Sequence, residues 1–519
     1  MCGGLAFVSR RPDTLTPSGS QTRFSGVQET TRLLSSLFGN SLHRIKERIG
    51  QIQSATTGEQ LRKLLWFIAA IVVWGAIMLL PLSAELGLEG QQALALVAAA
   101  CVLFASEAIP LPAIGLFIPV YQVVVGGMDT ELVTGWMMSN ALLFLMGTLM
   151  LVAALTSRGL DKLIALFILT RVGTNVYAVV FGIIAVSALL AGFMSDAAAA
   201  LMLAPVLGMI SIIKDSHHSA IPNLTKLLIF SVGFGAIIGS PYTPAGGARN
   251  VIMLDYMQQL AGLDISFYEW IIYMAPFTVV MVGVLTVLLP MVFPPEIKDL
   301  RTSVEALRME VEERPFGLDQ MIILAVFLTT IILWLTTGDL YGIGIIAIGA
   351  AVVLLVAGAV DWRDYQRDVD WGVLMIYIGA ISLGGYTAET GAAAWVADSF
   401  LALTQDIGLE GGNLLVMVIS GLITAMTSTM SAGATTSVMG PIVIEIAAQT
   451  GIPVIILGLS TALASSFGFM LIVSTPGNAI IYASGYLSAS DFIKVGLAAM
   501  ICSFLVFFVM LFVYWPLLV

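Results

Sequence analysis

The sequence predicts an all-α polytopic membrane protein made of two inverted repeats, each with a re-entrant hairpin and a broken helix. Three observations support this fold class. Of the 519 residues, 58% are hydrophobic and only 11% are charged, far from the balance of a soluble domain. Apolar runs follow one another almost without pause after Lys63. The same order of glycine, proline and small polar motifs occurs once in each half of the chain.

The composition also excludes several classes of protein. The 22 Lys and Arg residues against 33 Asp and Glu give a net charge of −11, which would repel a nucleic acid. The three cysteines lie far apart, with no CxxC pair and no Cys/His cluster, so neither a metal knuckle nor a redox pair is indicated. We therefore expect no cofactor and no nucleic-acid partner.

Residues 1–62 are predicted to form a cytoplasmic N-terminal extension that is partly disordered. No apolar run follows its start closely enough to predict a secretory signal. Within 31–50, apolar residues recur at helical spacing with basic residues between them. This pattern is typical of a helix on the membrane surface, and equally of a frayed helix with no membrane role.

The rest of the chain provides eleven apolar runs of the length needed for one helical crossing, together with two hairpins. In the first repeat half, 63–293, the crossings are predicted at 64–81, 91–108, 111–127, 139–157, 227–254 (a broken helix) and 268–293, with a hairpin at 175–212. A cytoplasmic linker follows at 294–318. In the second repeat half, 319–519, the crossings are predicted at 319–337, 341–360, 371–388, 454–486 (broken) and 490–518, with a hairpin at 412–450.

The predicted loops carry opposite charges on the two sides of the membrane. One side collects basic residues such as Arg158 and Arg363, whereas the loops around Asp255, Asp264 and Asp339 contain acids alone. Because short cytoplasmic loops are rich in Lys and Arg, we predict an integral inner (plasma) membrane protein with a cytoplasmic N-terminus and an outer C-terminus.

Aromatic residues and one arginine stand out from this layout. Trp136, Tyr268 and Trp270 lie near predicted outer ends of helices, where we expect them to anchor the protein at the membrane interface. Arg249 falls at membrane depth instead.

An internal repeat is visible in residues that recur at nearly constant spacing. Gly159 aligns with Gly391 at a separation of 232, Met194 with Met430 at 236, and Thr243 with Thr475 at 232. An odd number of predicted crossings lies between the two copies, so they should run through the membrane in opposite senses. Such inverted repeats are typical of secondary transporters.

Each copy contains two places where a spanning helix cannot continue. In GSPYTPAGGARN, Pro241 and Pro244 lack the backbone N–H that a helix needs, and VSTPGNA is the partner segment in the second half. The other place is the hairpin tip, where small polar residues lie between arms that we expect to be too short to cross separately. Freed backbone inside hydrocarbon is tolerated only at a protein or water-filled site, so we predict an anion site at the midplane.

These motifs resemble those of the divalent anion/sodium symporters, a family of dicarboxylate, citrate and sulfate transporters in the ion transporter superfamily. The resemblance covers roughly residue 64 to the end. It is most specific at 464–496, which is similar to the second broken helix of the family, and at GGARN, 246–250, which is similar to the first. It implies a homodimer in which each subunit has a fixed scaffold and a transport domain that moves as an elevator.

In that family each hairpin tip carries Ser-Asn-Thr, which contacts substrate carboxylates, while nearby backbone carbonyls bind sodium. Here the tips read Ser195-Asp196-Ala197 and Ser431-Ala432-Gly433, so both Ser are kept and both Asn and both Thr are replaced. The candidate substrate-binding residues are Ser195, Asp196, Ala197, Arg249, Ser431, Ala432, Gly433, Thr435 and Pro476. The candidate cation-binding residues, for sodium only, are Ser195, Asp196, Thr243, Gly246, Asn250, Ser431, Thr475 and Asn478.

The predicted function is secondary active transport of a small anion, either di- or tricarboxylate-like or an inorganic divalent anion, with altered coupling to sodium or protons. The loss of the tip Asn and Thr predicts weak or absent succinate binding. A passive anion channel and a sodium-independent anion exchanger are the alternatives, although a channel would need a continuous polar stripe. An enzyme is not expected, because all three histidines fall in predicted cytoplasmic segments.

Asp196 and Arg249 are the two charges that this layout places deep in the membrane, where each alone would cost about 2.5 to 3.5 kcal/mol. We expect them to lie close together. Arg249 could take the place of a cation and pair with Asp196, or point at the substrate, or Asp196 could bind a proton or sodium in turn with substrate. A purely structural ion pair and an Arg249 that snorkels to the surface are the alternatives. The favoured interpretation is pairing with loss of sodium dependence at the first site.

Overall fold

The computed structural model describes residues 58–82, 86–195, 197–217, 221–305, 317–405, 408–409 and 411–518. Within these ranges the chain forms helices and no β-strand. Residues from Trp66 onward form one compact unit, and those up to Leu65 are grouped as a separate unit. The predicted surface helix at 31–50 lies outside the described residues, as do residues 306–316 of the predicted linker.

Before the linker, the described helices are α1 (Gly58–Leu79), α2 (Gly87–Ser106), α3 (Leu111–Val124), α4 (Thr130–Met137), α5 (Asn140–Ser157), α6 (Leu160–Leu169), α7 (Val176–Met194), α8 (Ala197–His217), α9 (Pro222–Gly239), α10 (Ala248–Ala261) and α11 (Phe267–Val292). Side-chain caps begin several of them. Asn175 caps α7, and Ser266 with Glu269 forms a capping box on α11.

After the linker, the described helices are α12 (Leu318–Tyr341), α13 (Ile343–Val356), α14 (Trp362–Asp368), α15 (Trp371–Glu389), α16 (Ala392–Gln405), α17 (Gly412–Thr429), α18 (Ala432–Thr450), α19 (Val454–Ala464), α20 (Pro476–Tyr482) and α21 (Ala489–Val509). They number ten, as do α2 to α11. Gly159 and Gly391 precede the helices α6 and α16, and both have left-handed φ angles, 64° and 70°.

Ten of the described helices are long and apolar enough to cross a membrane, which confirms the polytopic all-α prediction. Two predicted crossings are shorter than expected. The helices α3 and α13 have 14 residues each, equivalent to about 21 Å, whereas the hydrocarbon core is ~30 Å thick. The short helices α4, α6, α14 and α16 were not predicted, because none is long enough to give a membrane-crossing signal.

The hairpin arms also differ from the prediction. The first arms, α7 and α17, have 19 and 18 residues and are each long enough to cross, so the expectation of short arms was wrong. The turn at the first tip is made by a backbone change at Ser195 instead of by a shortage of apolar residues.

Burial separates a central group of helices from a peripheral one. In α9, 83% of an 18-residue apolar segment is buried inside the protein, compared with 17% of such a segment in α12. Glycine contacts bring two pairs of helices close together. Helix α3 packs on α15, and α5 packs on α13. An added Cβ at Gly379 would lie 2.4 Å from Gly115 Cα, and one at Gly147 would lie 2.6 Å from the Ala347 carbonyl carbon. Such contacts let membrane helices approach backbone to backbone.

Candidate functional site

The first helix break separates α9 from α10 and spans 240–247, here called the first break loop. Pro244 begins a single 3-10 turn that ends at Gly246, and α10 starts two residues later. An added Cβ at Gly246 would lie 2.0 Å from the Ser240 carbonyl oxygen, so the loop folds back on its own start. The predicted break is thus present, and it positions the side chains that follow.

Asn250 holds the first break loop closed. Its Nδ2 donates to the carbonyl oxygens of Ser240 at 2.9 Å and Thr243 at 2.8 Å. Its Oδ1 is buried and accepts no hydrogen bond from the described residues. A buried amide oxygen without a donor is a suitable ligand for a hard cation.

The second break loop, 465–475, has the same clamp. Asn478 Nδ2 donates to the carbonyl oxygens of Gly468 at 2.8 Å and Leu471 at 3.0 Å, and its Oδ1 is also buried without a donor among the described residues. Each of these residues follows its counterpart in the first loop by 228 positions. Thr475 is the N-cap of α20, and its Oγ1 accepts from the Asn478 N–H at 3.1 Å.

The first hairpin tip lies against the first break loop. Thr243 Oγ1 donates to the Gly192 carbonyl oxygen in α7. A Cβ built on Gly247 would be 3.4 Å from both Ser195 Oγ and Arg249 Nη1, so the two predicted site residues converge there. Ser195 has φ 53° and ψ −150°, a region that costs a non-glycine residue about 1 to 3 kcal/mol.

Arg249 is buried beside this tip. Its side chain is 5% exposed, and Nη2 donates to Ser240 Oγ in the first break loop. The guanidinium is thus turned into the loop, and it does not snorkel to a surface. Asp196 lies outside the described residues, so its pairing with Arg249 stays a prediction. The equivalent position in the second break loop is Gly477.

The second tip is more open. Ser431 Oγ accepts from the Ala434 N–H at 3.3 Å and caps α18, whose first residue is Ala432. Nothing lies within 4 Å of a Cβ built on Gly433, and Thr435 Oγ1 is buried without a hydrogen-bond partner among the described residues.

The two break loops differ in exposure. Pro476, the first residue of α20, is exposed, whereas Pro241 and Pro244 are buried. Ala197 and Asp196 complete the predicted substrate set, but the structure describes only the backbone of Ala197. Among the described residues, close contacts join the first-half site residues to one another, whereas the hydrogen bonds of Ser431 stay at the start of α18.

Tyr256 links the first broken helix to the second half. Its hydroxyl donates to the carbonyl oxygens of Ala380 and, at 3.1 Å, Ser437. Its ring fills space left by Gly384 and Gly440, where an added Cβ would lie within 2.1 and 2.3 Å of ring atoms. Since α20 packs in turn on α8 and α9, each broken helix contacts elements of the other half.

Two residues were wrongly placed from the sequence. Asp255 was assigned to an outer loop, but it lies inside α10 and is 1% exposed. No helix-breaking residue occurs between Asn250 and Gly262, which is the signal that predicts this longer helix. Trp270 was expected as an interface anchor, but it is fully buried, and its indole N–H donates to the Pro241 carbonyl oxygen at 3.0 Å.

Long apolar helices, interrupted twice where buried polar side chains gather, define a polytopic membrane transport protein. The family model described as the sodium:sulfate symporter transmembrane region matches residues 61–519. The chain belongs to this family, which confirms the resemblance noted from its motifs.

Similar proteins agree with this assignment. A Haemophilus influenzae protein named only as an uncharacterized transporter is 27% identical over 446 residues, 82% of this chain and 92% of its own length. The sodium-dependent dicarboxylate transporter SdcS of Staphylococcus aureus is 26% identical over 459 residues, 82% of this chain and 87% of its own.

Two solved structures share the fold. The YdaH transporter of Alcanivorax borkumensis aligns with a TM-score of 0.55 at 13% identity, covering 82% of this chain and 98% of that one. MtrF of Neisseria gonorrhoeae aligns with a TM-score of 0.55 at 13% identity, covering 88% and 95%. At this identity the likeness extends to the fold alone.

Proposed function

We propose that this protein is a secondary active transporter that couples the movement of a small divalent anion to sodium. The observation that carries the proposal is the pair of helix breaks, each clamped by an asparagine whose Oδ1 is buried without a donor among the described residues. An oxygen of this kind fits a cation better than it fits an anion. The sodium-dependent relatives support sodium as that cation.

The anion is a dicarboxylate or sulfate. The family description and the dicarboxylate relatives support this class. The N-terminus of α18 directs backbone N–H groups and a partial positive charge towards the open space at Gly433. Because the tip lacks the Asn and Thr of the family pattern, we expect succinate to bind more weakly than to a transporter that keeps them.

The two break loops are not equivalent cation sites. The first contains the Arg249 guanidinium, hydrogen-bonded to Ser240, whereas the second has Gly477 at the equivalent position. We propose that Arg249 supplies a fixed positive charge at the first loop, which makes that half independent of sodium. Sodium then binds at the second loop, with Asn478 Oδ1 and Thr475 Oγ1 among its ligands.

Transport is proposed to follow an elevator mechanism between inverted repeats, in a homodimer. Helix contacts support the repeat, because Gly115 with Gly379 and Ala347 with Gly147 are the same pair of positions shifted by 232 residues. A two-fold axis relating the halves would generate this exchange of partners. The helices α2 to α5 and α12 to α15 would form the scaffold, and the hairpins and broken helices would move.

Uptake by the purified protein in liposomes tests the proposal, with sulfate, phosphate, and mono-, di- and tricarboxylates screened under separate sodium and proton gradients. We expect saturable uptake of a divalent anion that requires sodium. Ohmic current without saturation or counterflow would contradict transport and identify a channel.

Matched variants test whether, of the two break loops, only the second binds sodium. Asn250→Ala and Asn478→Ala remove the same clamp and should destabilise the protein equally, by about 1 to 3 kcal/mol. Only Asn478→Ala should abolish the sodium dependence of uptake. Arg249→Gly, which copies the residue of the second half, should raise the Hill coefficient for sodium by about one. Equal loss of sodium dependence in both Asn variants would disprove the fixed-charge role of Arg249.

A further inference from the structure

A second polar cavity, of about 420 Å³, lies away from the break loops where α10, α11, α12 and α13 approach the start of α5. Four carboxylates line it: Asp255, Asp264, Glu269 and Asp339. Its lining residues include no Lys, Arg or His. Three of the acids are exposed, and Glu269 is engaged in the capping box of α11. The electrostatic potential of this cavity therefore favours a cation.

Asp255 is the buried carboxylate of this cavity. Its side chain is 1% exposed, and Gln259 Nε2 donates to Oδ2 at 2.7 Å. The hydroxyl groups of Ser139 and Tyr377 lie beside the carboxylate, 3.2 Å from each other, but no donor among the described residues reaches Oδ1 with hydrogen-bond geometry. One carboxylate oxygen of this cavity-lining residue thus remains without a donor among the described residues.

A buried ionised carboxylate is costly unless a cation or a proton neutralises it. No Lys or Arg of the described chain forms an ion pair with Asp255. A divalent ion needs several charged oxygen ligands, and the described residues contain no group of three acidic, His or Cys side chains close enough to hold one. One carboxylate with neutral hydroxyl groups suits a monovalent cation instead.

We propose that this cavity is a sodium site, with Asp255 Oδ1 as its innermost ligand and the Ser139 and Tyr377 hydroxyls as neutral ligands. The choice of sodium over another monovalent cation rests on the proposed function. Asp255 follows Asn250 by five residues on the same helix, about 7.5 Å along its axis, so the site is separate from the break loop. A bound ion here would join α10 to α15 and to the residue that caps α5.

The test measures occupancy of the cavity directly, in the full-length protein in detergent and without any anion. Gln258 is exposed and lines the cavity, so a Gln258→Cys variant reports access by its rate of reaction with a cationic methanethiosulfonate. Choline replaces sodium at constant ionic strength and pH. The unsubstituted protein corrects for native thiols, and Asp398→Cys, exposed on α16, is the control outside the cavity.

At ten times its dissociation constant, sodium should slow the reaction of Gln258→Cys about tenfold and leave Asp398→Cys unchanged. Adding Asp255→Asn should reduce this protection to less than twofold. Adding Tyr377→Phe, which keeps the charge and the ring, should raise the sodium concentration for half-protection severalfold. This second variant serves if Asp255→Asn does not fold.

Three results would overturn the proposal: equal protection of both cysteine variants, protection that survives Asp255→Asn, or protection by lowered pH in choline without sodium. The last result would mean that Asp255 holds a proton. Because the assay requires no transport, its failure is distinct from failure of the liposome uptake assay, which is measured separately on the same preparation.

Discussion

Asn250 and Asn478 each use both ends of one amide group. The nitrogen closes a helix break by donating to two carbonyl oxygens, and the oxygen stays without a donor among the described residues. At Asn478 the closure of the break and the proposed sodium site would therefore share one side chain. An Asp at either position would keep the oxygen but lose both donated hydrogen bonds. Closing the break therefore requires an amide, although a carboxylate is the stronger cation ligand.

Two neighbouring glycines in the first break loop should respond differently to Ala. In Gly246→Ala the Cβ would lie 2.0 Å from the Ser240 carbonyl oxygen, so we expect a loss of about 1 to 3 kcal/mol of stability or more. In Gly247→Ala the methyl would make ordinary 3.4 Å contacts with Ser195 and Arg249, and φ 165° is extended backbone.

Gly247→Ala should therefore melt near the wild-type temperature but raise KM for the transported anion, because the methyl separates two site residues. Thermal unfolding in detergent and liposome uptake measure the two effects. A normal KM in a stable Gly247→Ala protein would mean that Ser195 and Arg249 do not act together on the anion.

For single residues, the effects that follow from a residue's own covalent structure could be predicted from the sequence, whereas the surroundings of its side chain could not. Pro241 and Pro244 break the helix because of their own covalent structure, and this is visible without coordinates. The burial of Asp255 and Trp270 depends on helices distant in sequence, which cover them only after the chain folds. Their placement at loops and interfaces followed from local hydropathy, which carries no information about such coverage.

Among the helices, the glycine contacts of α5 and α15 provide a matched pair. Gly147→Ala and Gly379→Ala should each push two helices apart, since the added methyl meets backbone atoms of Ala347 or Gly115. We expect both to lower stability by about 1 to 3 kcal/mol and by similar amounts, because the proposed inverted repeat would make the two sites equivalent.

Gly349→Ala in α13 is the control, because nothing lies within 4 Å of its Cβ position. Helix propensity should make that variant neutral or slightly more stable. Strongly unequal effects of the two contact variants in thermal unfolding would argue against a symmetric scaffold.

The helices themselves were predictable where hydropathy is continuous. Long apolar runs predicted α5, α11 and α15 to within one residue at each end, whereas α9 begins five residues before the predicted start at 227. The continuation of α10 to Ala261 was not predicted. Polar residues such as Asp255 and Gln258 end the apolar run, but the helix continues until its C-cap at Gly262. The backbone conformation of the first hairpin tip could not be predicted either, because the positive φ of Ser195 is imposed by its surroundings and not by its residue type.

For the whole molecule, the charge pattern predicts which end faces the cytoplasm. Asp339 and Arg367 are both exposed; Asp339 lies in the last turn of α12 and Arg367 in the short helix α14, at predicted opposite sides. In intact cells, a membrane-impermeant maleimide should label Asp339→Cys, and Arg367→Cys only after permeabilisation. Labelling of Arg367→Cys in intact cells, with Asp339→Cys protected, would require the opposite orientation.

The short helices α3 and α13 have a mechanical consequence for the surrounding lipid. Both expose apolar side chains, among them Phe117, Val120, Val352 and Val356, yet each is only about 21 Å long. Lipid beside them must thin by several ångströms or leave polar ends in hydrocarbon, and either adjustment costs a fraction of a kcal/mol per ångström of mismatch. The protein should therefore work fastest in bilayers of short acyl chains and slow progressively as the chains lengthen, a dependence that uptake in liposomes of graded thickness would measure.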